Sequence, residues 1–359
     1  MIGGKKDISG NQLLPPLQLF LELTTACNLC CSHCYLRAGE GKAHALPASD
    51  IHGLLGEFQA LGGEYVSFSG GEPTLYREWR PVMRYARYLG LDTMLVTNGI
   101  RLDDGDIRFL ADIEADVAVS LDGAVSSTND AIRGAGSFAR TTTSLQRLFD
   151  AGLGPKLTLC FTPSIENYRE LSGIVKLADR IGIGTVYVSL LELRGRAADA
   201  KERLALDAEA KQKLVFTVYA LQDRHPGIAL ECLNLRYFTE RLHGHNINGD
   251  CLDRTVRVTS DGELYLTAYL DDELFHLGHY ASQPLHQLWY SEKVRSAFQA
   301  ADQRKETVAE CRDCLARLWC QGGSATFAWA AHGRFDAVDG FCEAKQMLIQ
   351  ELHKRKPPV

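Results

Sequence analysis

Short apolar runs and stretches of helical spacing alternate from residue 17 onward. Gln18–Thr24 reads as a buried strand, and 47–61 as a helix with Ile51, Leu54, Leu55 and Phe58 on one face and Ser49 or Asp50 near its N-cap. Strands follow at 65–68, 92–96, 117–120, 156–161 and 185–191, with helices at 78–89, 103–113, 138–151 and 168–181 between them. Six such alternations predict a parallel α/β sheet with helices outside, its strands apolar on both faces. In that architecture functional loops collect at the C-terminal ends of strands. The unusual peptides of this chain lie there: Ser69-Gly70-Gly71-Glu72-Pro73, Thr97-Asn98-Gly99 and Leu121-Asp122-Gly123. After residue 197 the pattern weakens. A charged, alanine-rich linker at 199–209 leads to a helix at 208–223. A hairpin follows, 256–259 with 264–266, turned by Asp261-Gly262, then helices at 291–300 and 343–354. The divisions expected are a lead-in over 1–16, a barrel over 17–197, a linker and helix over 198–227, and a smaller cysteine-rich domain over 228–359.

Composition narrows the function classes. The 359 residues are 45% hydrophobic and carry 39 basic against 45 acidic side chains, a net charge of −6. That balance argues against a large nucleic-acid surface. No run of about 18 apolar residues predicts a membrane span, and residues 1–12 lack a secretory apolar core. A cytoplasmic location is expected, where eleven cysteines point to metal or redox chemistry rather than a disulfide framework.

Four of the cysteines, Cys27, Cys30, Cys31 and Cys34, fall within eight residues just after the first strand. Three close thiolates suit a soft metal or an iron–sulfur cluster, and no local fourth ligand completes a zinc site. A second set, Cys311, Cys314, Cys320 and Cys342, lies near the C-terminus. Its spacing by itself reads more commonly as a structural Cys₄ zinc site than as a cluster. Cys160 and Cys232 read as small buried hydrophobes, His33 as a solvent-side loop residue, and His243 and His245 as surface-loop residues.

The spacing Cys27-x₃-Cys31-x₂-Cys34 followed by Tyr35 resembles the radical S-adenosylmethionine enzymes. The resemblance implies a partial (β/α)₆, TIM-like barrel. Cys27, Cys31 and Cys34 then hold a [4Fe–4S] cluster whose open iron binds S-adenosylmethionine, and Cys30 is a bystander. It also implies cofactor contacts by Tyr35, Gly70, Gly71, Glu72, Pro73, Thr97, Asn98, Ser120, Asp122 and Arg133. In that reading Glu72 sits near the methionine ammonium, and Arg133 forks its carboxylate. The distal set resembles part of a SPASM domain, which typically holds two auxiliary clusters. Thr267 and Ser324 stand where that pattern has cysteines, and Ala268 where some members carry an aspartate base. The resemblance therefore implies one auxiliary [4Fe–4S] cluster on Cys311, Cys314, Cys320 and Cys342, with Cys251 left over and Tyr269, Asp271 and Asp272 given no role.

The expected activity is reductive cleavage of S-adenosylmethionine to a 5′-deoxyadenosyl radical, with hydrogen abstraction from a ribosomally made peptide to install a crosslink or invert a centre. Action on a tetrapyrrole or other small metabolite is the alternative. A non-enzymatic cluster or zinc module is a distant third. Electrons are expected from a flavodoxin or ferredoxin. Only 26 residues precede Cys27, so a separate peptide-recognition protein, or the barrel itself, is expected to engage the peptide. Neither nucleic acid nor a membrane is an expected partner.

Overall fold

Leu19, Leu21 and Leu23 lie fully buried on one face of β1 (Gln18–Thr24), and Phe20 and Glu22 point to the other. That aliphatic face sets the layering. The computed structural model describes residues 13–232, 235–244 and 252–355. β1 is followed by α1 (Ala48–Ala60), β2 (Tyr65–Gly70), α2 (Trp79–Tyr88), β3 (Asp92–Thr97), α3 (Asp104–Asp112) and β4 (Asp116–Ser120). Next come α4 (Ser126–Arg133), α5 (Ser137–Leu148), β5 (Leu157–Phe161), α6 (Leu171–Ile181) and β6 (Thr185–Val188). β1 to β6 pair in order and in parallel. Their outer faces form one core with the helices: Leu21, Phe68, Leu95, Val119 and Leu159 pack with Phe58, Met83, Leu110 and Leu145.

The strands are not apolar on both faces. The inner face carries Glu22, Ser67, Ser69, Cys160 and Tyr187. Register aligns Ser120 with Cys160 and Cys160 with Tyr187 across three neighbouring strands. A barrel that opens at one end tolerates polar groups inside when they meet one another or a ligand.

The sheet also runs on beyond residue 197. β7 (Ala229–Cys232) adds in parallel to β6, and β8 (Thr255–Val258) adds in parallel to β1. β9 (Glu263–Tyr265) and β10 (His276–His279) continue it antiparallel. The order is β10-β9-β8-β1-β2-β3-β4-β5-β6-β7, a linear ladder with β7 and β10 at its edges. The expected hairpin is thus β8–β9, and it extends the barrel sheet. At its turn Gly262 has φ 94°, and a Cβ there would lie 2.5 Å from His279 Nε2.

Several elements depart from the pattern. α4 was not expected, because its Ser-Ser-Thr-Asn start reads as turn. The helix expected over 138–151 ends at Leu148 and passes into a π turn, Phe149–Leu153, where Gly152 has φ 87°. Pro47, not Ser49 or Asp50, occupies the N-cap of α1. The C-terminal part folds back on the barrel. Trp289, fully buried, donates its indole N–H to the Leu14 carbonyl (2.9 Å), and the Leu285 N–H donates to Glu57 Oε2 of α1 (2.6 Å). The final helix, Cys342–Arg355, packs along the helix Ala208–Arg224.

Candidate metal centre and the loops around it

The loop after β1 is gripped from three sides. The first grip is the Gly70-Gly71 turn at the end of β2. Its backbone donates from Gly71 N to the Thr24 carbonyl (2.7 Å) and from Glu72 N to the Ala26 carbonyl (2.8 Å). A Cβ on Gly71 would stand 2.3 Å from the Ala26 oxygen, and one on Gly70, at φ 117°, 2.5 Å from the Thr24 oxygen. These glycines bring backbone against the cysteine loop itself.

The second grip is Gly195-Arg196. Arg196 donates its N–H to the Cys34 carbonyl (2.9 Å), Nε to the Cys31 carbonyl (2.9 Å) and Nη1 to the Ala38 carbonyl (3.0 Å). The third is Asn98, whose Nδ2 donates to Asn28 Oδ1 (2.8 Å). Together they pin Cys27, Cys31 and Cys34 from β2, β3 and the segment after β6.

Cys34 is near enough to raise the charging cost of Cys27, and both raise that of Cys31, whereas Cys30 is exposed. Burial pushes the Cys31 thiol up to about 11, against the pull of Arg133. Backbone donors approach two of the sulfurs: Leu29 N–H to Cys27 Sγ and Ala38 N–H to Cys34 Sγ, both 3.4 Å. The distal cysteines form a second group. Cys320 and Cys342 each feel Cys311, and Gln346 reaches both Cys314 and Cys342. Among the described residues no three His, Cys, Asp or Glu side chains close tightly enough to grip a single ion. Both donor sets consist of thiols, the chemistry that iron–sulfur clusters take, and clusters spread their ligands over several metal atoms. The residues present fit such a group at each place.

Glu72 is fully buried, and its carboxylate is spent on the protein. Oε1 accepts from Thr74 N (3.2 Å), Thr74 Oγ1 (2.7 Å) and Thr97 Oγ1 (2.7 Å), and Oε2 from Asn98 N (2.9 Å). It knots the β2 and β3 loops together, with buried Pro73 beginning the short turn between Glu72 and Tyr76. Burial raises its pKa while these donors pull it down.

Asp122 is the second knot. It is fully buried and accepts from Arg133 Nε (2.5 Å) and Thr162 N (2.7 Å), with His33 Nε2 at 3.1 Å. Burial opposes its charge, but Arg133 and His33 outweigh that and hold its pKa well below the usual carboxylate range. This corrects the reading of His33 as a solvent-side residue: its side chain is 13% exposed and ties the cysteine loop to β4. Arg133 spends Nε on Asp122, and its charge lies close enough to favour the Cys27 and Cys31 thiolates. Ser120 sits half-buried beside Cys160, whose thiol burial pushes up to about 12. Cys160 is thus an inner-face residue, not a core filler. Cys232 is fully buried. His243 stacks on Tyr219 (4.5 Å, 8°), and His245 and Cys251 lie outside the described residues.

Tyr35 leads to a charged cluster that the motifs do not reveal. Its hydroxyl donates to Glu22 Oε1 (3.3 Å), and Arg194 lies over its ring (4.8 Å). Arg194 also pairs with Glu192 (Nε to Oε2, 2.7 Å) and with Asp271. Arg257, fully buried on β8, pairs with Asp271 and stands 3.7 Å from Glu22 Oε1. Tyr269 meets Tyr187, hydroxyl to hydroxyl, at 2.8 Å. The available signal was a lone charge inside a strand, Glu22 among leucines and Arg257 among valines. Arg194 and Arg196 carried none.

Burial pushes Glu22 and Glu192 up to about 7, against Arg194. A carboxyl with a higher pKa folded than unfolded holds its proton more tightly in the native state. Its stability contribution is therefore fullest below the unfolded value of about 4.5 and is lost as pH rises through about 7. Glu22→Gln removes that loss. Urea unfolding should show the variant gaining ~2 kcal/mol over the parent at pH 8 relative to pH 5. An unchanged pH slope would refute the shift.

Comparison with known proteins places this geometry. Residues 21–178 match the radical SAM superfamily, and residues 251–315 match the SPASM iron–sulfur cluster-binding domain. The chain is 36% identical over 191 residues to mycofactocin maturase MftC of Mycobacterium ulcerans, covering 53% of this chain and 51% of that protein. The match thus spans about half the length of that relative. PqqA peptide cyclase of Rhizobium meliloti is 26% identical, covering 92% and 88% of the two chains. AdoMet-dependent heme synthase of Methanosarcina barkeri is also 26% identical, covering 91% and 96%. The solved structure "Native anSMEcpe with bound AdoMet" superposes with a TM-score of 0.77 at 17% identity, covering 95% of this chain and 98% of that one, a likeness of fold. The barrel, the cysteine loop and both domain matches agree: the chain carries a radical SAM domain, followed in sequence by a SPASM iron–sulfur cluster-binding domain.

Proposed function

We propose that the protein cleaves S-adenosylmethionine reductively and abstracts hydrogen from a ribosomally made peptide. The observation that carries this reading is the arrangement of Cys27, Cys31 and Cys34, three thiols clamped at the mouth of a parallel barrel by loops from the strand ends. With its cluster and S-adenosylmethionine bound, the site supplies a 5′-deoxyadenosyl radical. Cys27, Cys31 and Cys34 hold the cluster. Gly70, Gly71, Pro73, Thr97, Asn98, Ser120 and Tyr35 line the cofactor's place. Glu72 and Asp122 act by fixing the loops that carry those residues, and Arg133 supplies positive charge next to the sulfurs. Cys311, Cys314, Cys320 and Cys342 hold one auxiliary cluster.

Loss of the other auxiliary cluster is supported by what its two substituted positions do. Thr267 Oγ1 accepts from Tyr269 N (3.3 Å), and Ser324 Oγ caps the helix Ala325–His332 by accepting from Phe327 N (3.4 Å). A flavodoxin or ferredoxin supplies electrons, a separate protein or the barrel itself engages the peptide, and the reaction takes place in the cytoplasm. Among the described residues no helix is long and apolar enough to cross a membrane.

The peptide cyclase likeness favours a peptide, and the heme synthase likeness keeps a tetrapyrrole as the second reading. The anaerobically reconstituted protein with dithionite and S-adenosylmethionine should release 5′-deoxyadenosine. No release would sink the enzyme reading. Offering a deuterated precursor peptide and a deuterated porphyrin in parallel separates the substrates, since deuterium enters 5′-deoxyadenosine only from the true one.

A further inference from the structure

The distal cysteines are served by one helix. Cys342, Lys345 and Gln346 stand at positions i, i+3 and i+4 of Cys342–Arg355, so they share a face. Gln346 Nε2 lies 3.6 Å from Cys314 Sγ and 3.7 Å from Cys342 Sγ. One amide nitrogen thus spans two cysteines that come from separate elements. Its two hydrogens suit two sulfur acceptors, one each, and the amide oxygen would repel both if turned inward.

Beside it the Lys345 ammonium is 1% exposed and paired to Asp339 Oδ2 at 2.5 Å. Asp339 is itself held by the N–H groups of Ser324 (3.3 Å) and Phe341 (3.0 Å). Both charges reach the sulfurs and act in opposite directions: the Asp339 carboxylate disfavours the Cys320 and Cys342 thiolates and the Lys345 ammonium favours them. The barrel cysteines have a different setting. The hydrogen bonds to Cys27 and Cys34 come from the backbone of their own loop.

We propose that Gln346 is a positioning residue that raises the reduction potential of the distal site, holding it ready to take up an electron rather than serving structure alone. The inference rests on the reading of the quartet as a cluster site. A donor to a ligating sulfur stabilises the more negative, reduced state of the group that sulfur holds. Because a hydrogen bond to a charged acceptor strengthens with the charge on that acceptor, losing it should move the oxidised-to-reduced ratio about tenfold.

The test uses the full chain with Cys27, Cys31 and Cys34 replaced by alanine, reconstituted anaerobically with iron and sulfide so that only the distal set is loaded. The reduced cluster is followed by electron paramagnetic resonance during a potentiometric titration, with neither substrate nor S-adenosylmethionine present. Adding Gln346→Leu should leave iron content unchanged and raise the oxidised-to-reduced ratio about tenfold at fixed potential, about 59 mV downward for one electron. Gln346→Glu, which replaces the donor by an acceptor, should move further in the same direction. An unchanged midpoint with iron retained overturns the proposal. Loss of iron from both Gln346 variants also overturns it, because Gln346 would then serve retention alone. Absence of iron from the parent would overturn the cluster reading of the quartet instead.

Discussion

Replacing Cys27, Cys31 and Cys34 together by alanine should halve the iron and abolish 5′-deoxyadenosine release. The expected count falls from about eight iron atoms to about four, one [4Fe–4S] cluster from each of two sites. The loss of cofactor cleavage should be complete, because among the described residues no other group in the barrel offers three thiols: Cys30 is exposed, and Cys160 stands apart on β5. The fold should survive. The loop's backbone is fixed through Gly71, Arg196 and Asn98, none of which uses a sulfur. Iron assay and chromatography of the cleavage products check both halves of the expectation. Twelve irons in the parent would restore the second auxiliary cluster. Almost none in the variant would assign the distal quartet to zinc. Cys30→Ala, the internal control, should change neither reading.

The barrel was legible because its two periods are strong. The parallel strands and most of the helices lie where the apolar spacing puts them. What was missed has a physical reason in each case. β7 is four residues long, and its strand character comes from pairing with β6 rather than from its own sequence. α4 is built of Ser, Thr and Asn, which favour turns until a tertiary contact holds them. Here Asn129 accepts from Asp122 N and donates to Ser137 Oγ.

The cysteine spacings, like the Gly70-to-Pro73 and Thr97-to-Gly99 loops, were legible as motifs. Their local roles were not, because a motif shows which residues recur and not what they touch. Glu72 is expected from the motif to contact a ligand, and its carboxylate also accepts four hydrogen bonds from the loops around it, which the motif does not reveal. His33, which looked like a loop residue, closes on Asp122 only because β4 ends opposite the cysteine loop. Long-range pairs such as Arg257 with Asp271 leave no trace in local pattern.

Asp122→Ala is expected to be the most damaging substitution outside the cysteines, and its comparison with Asp122→Asn separates charge from shape. The alanine variant strands a guanidinium that is 8% exposed, the Thr162 N–H and His33 Nε2. Removing one partner of a buried ion pair costs about 3–5 kcal/mol, since the remaining charge stays desolvated. Asparagine keeps an oxygen for the Thr162 N–H but leaves Arg133 without its counter-charge, so it should recover about 1 kcal/mol of that loss. The damage should reach the cysteine loop, because His33 lies between Cys31 and Cys34 and loses its anchor on β4. Iron should then leave the barrel site faster under a chelator in both variants, while the distal quartet, which shares no contact with Asp122, keeps its own. Urea unfolding and a timed chelator challenge measure the two effects. Parent-like unfolding with unchanged iron release would show that Asp122 neither balances Arg133 nor holds His33.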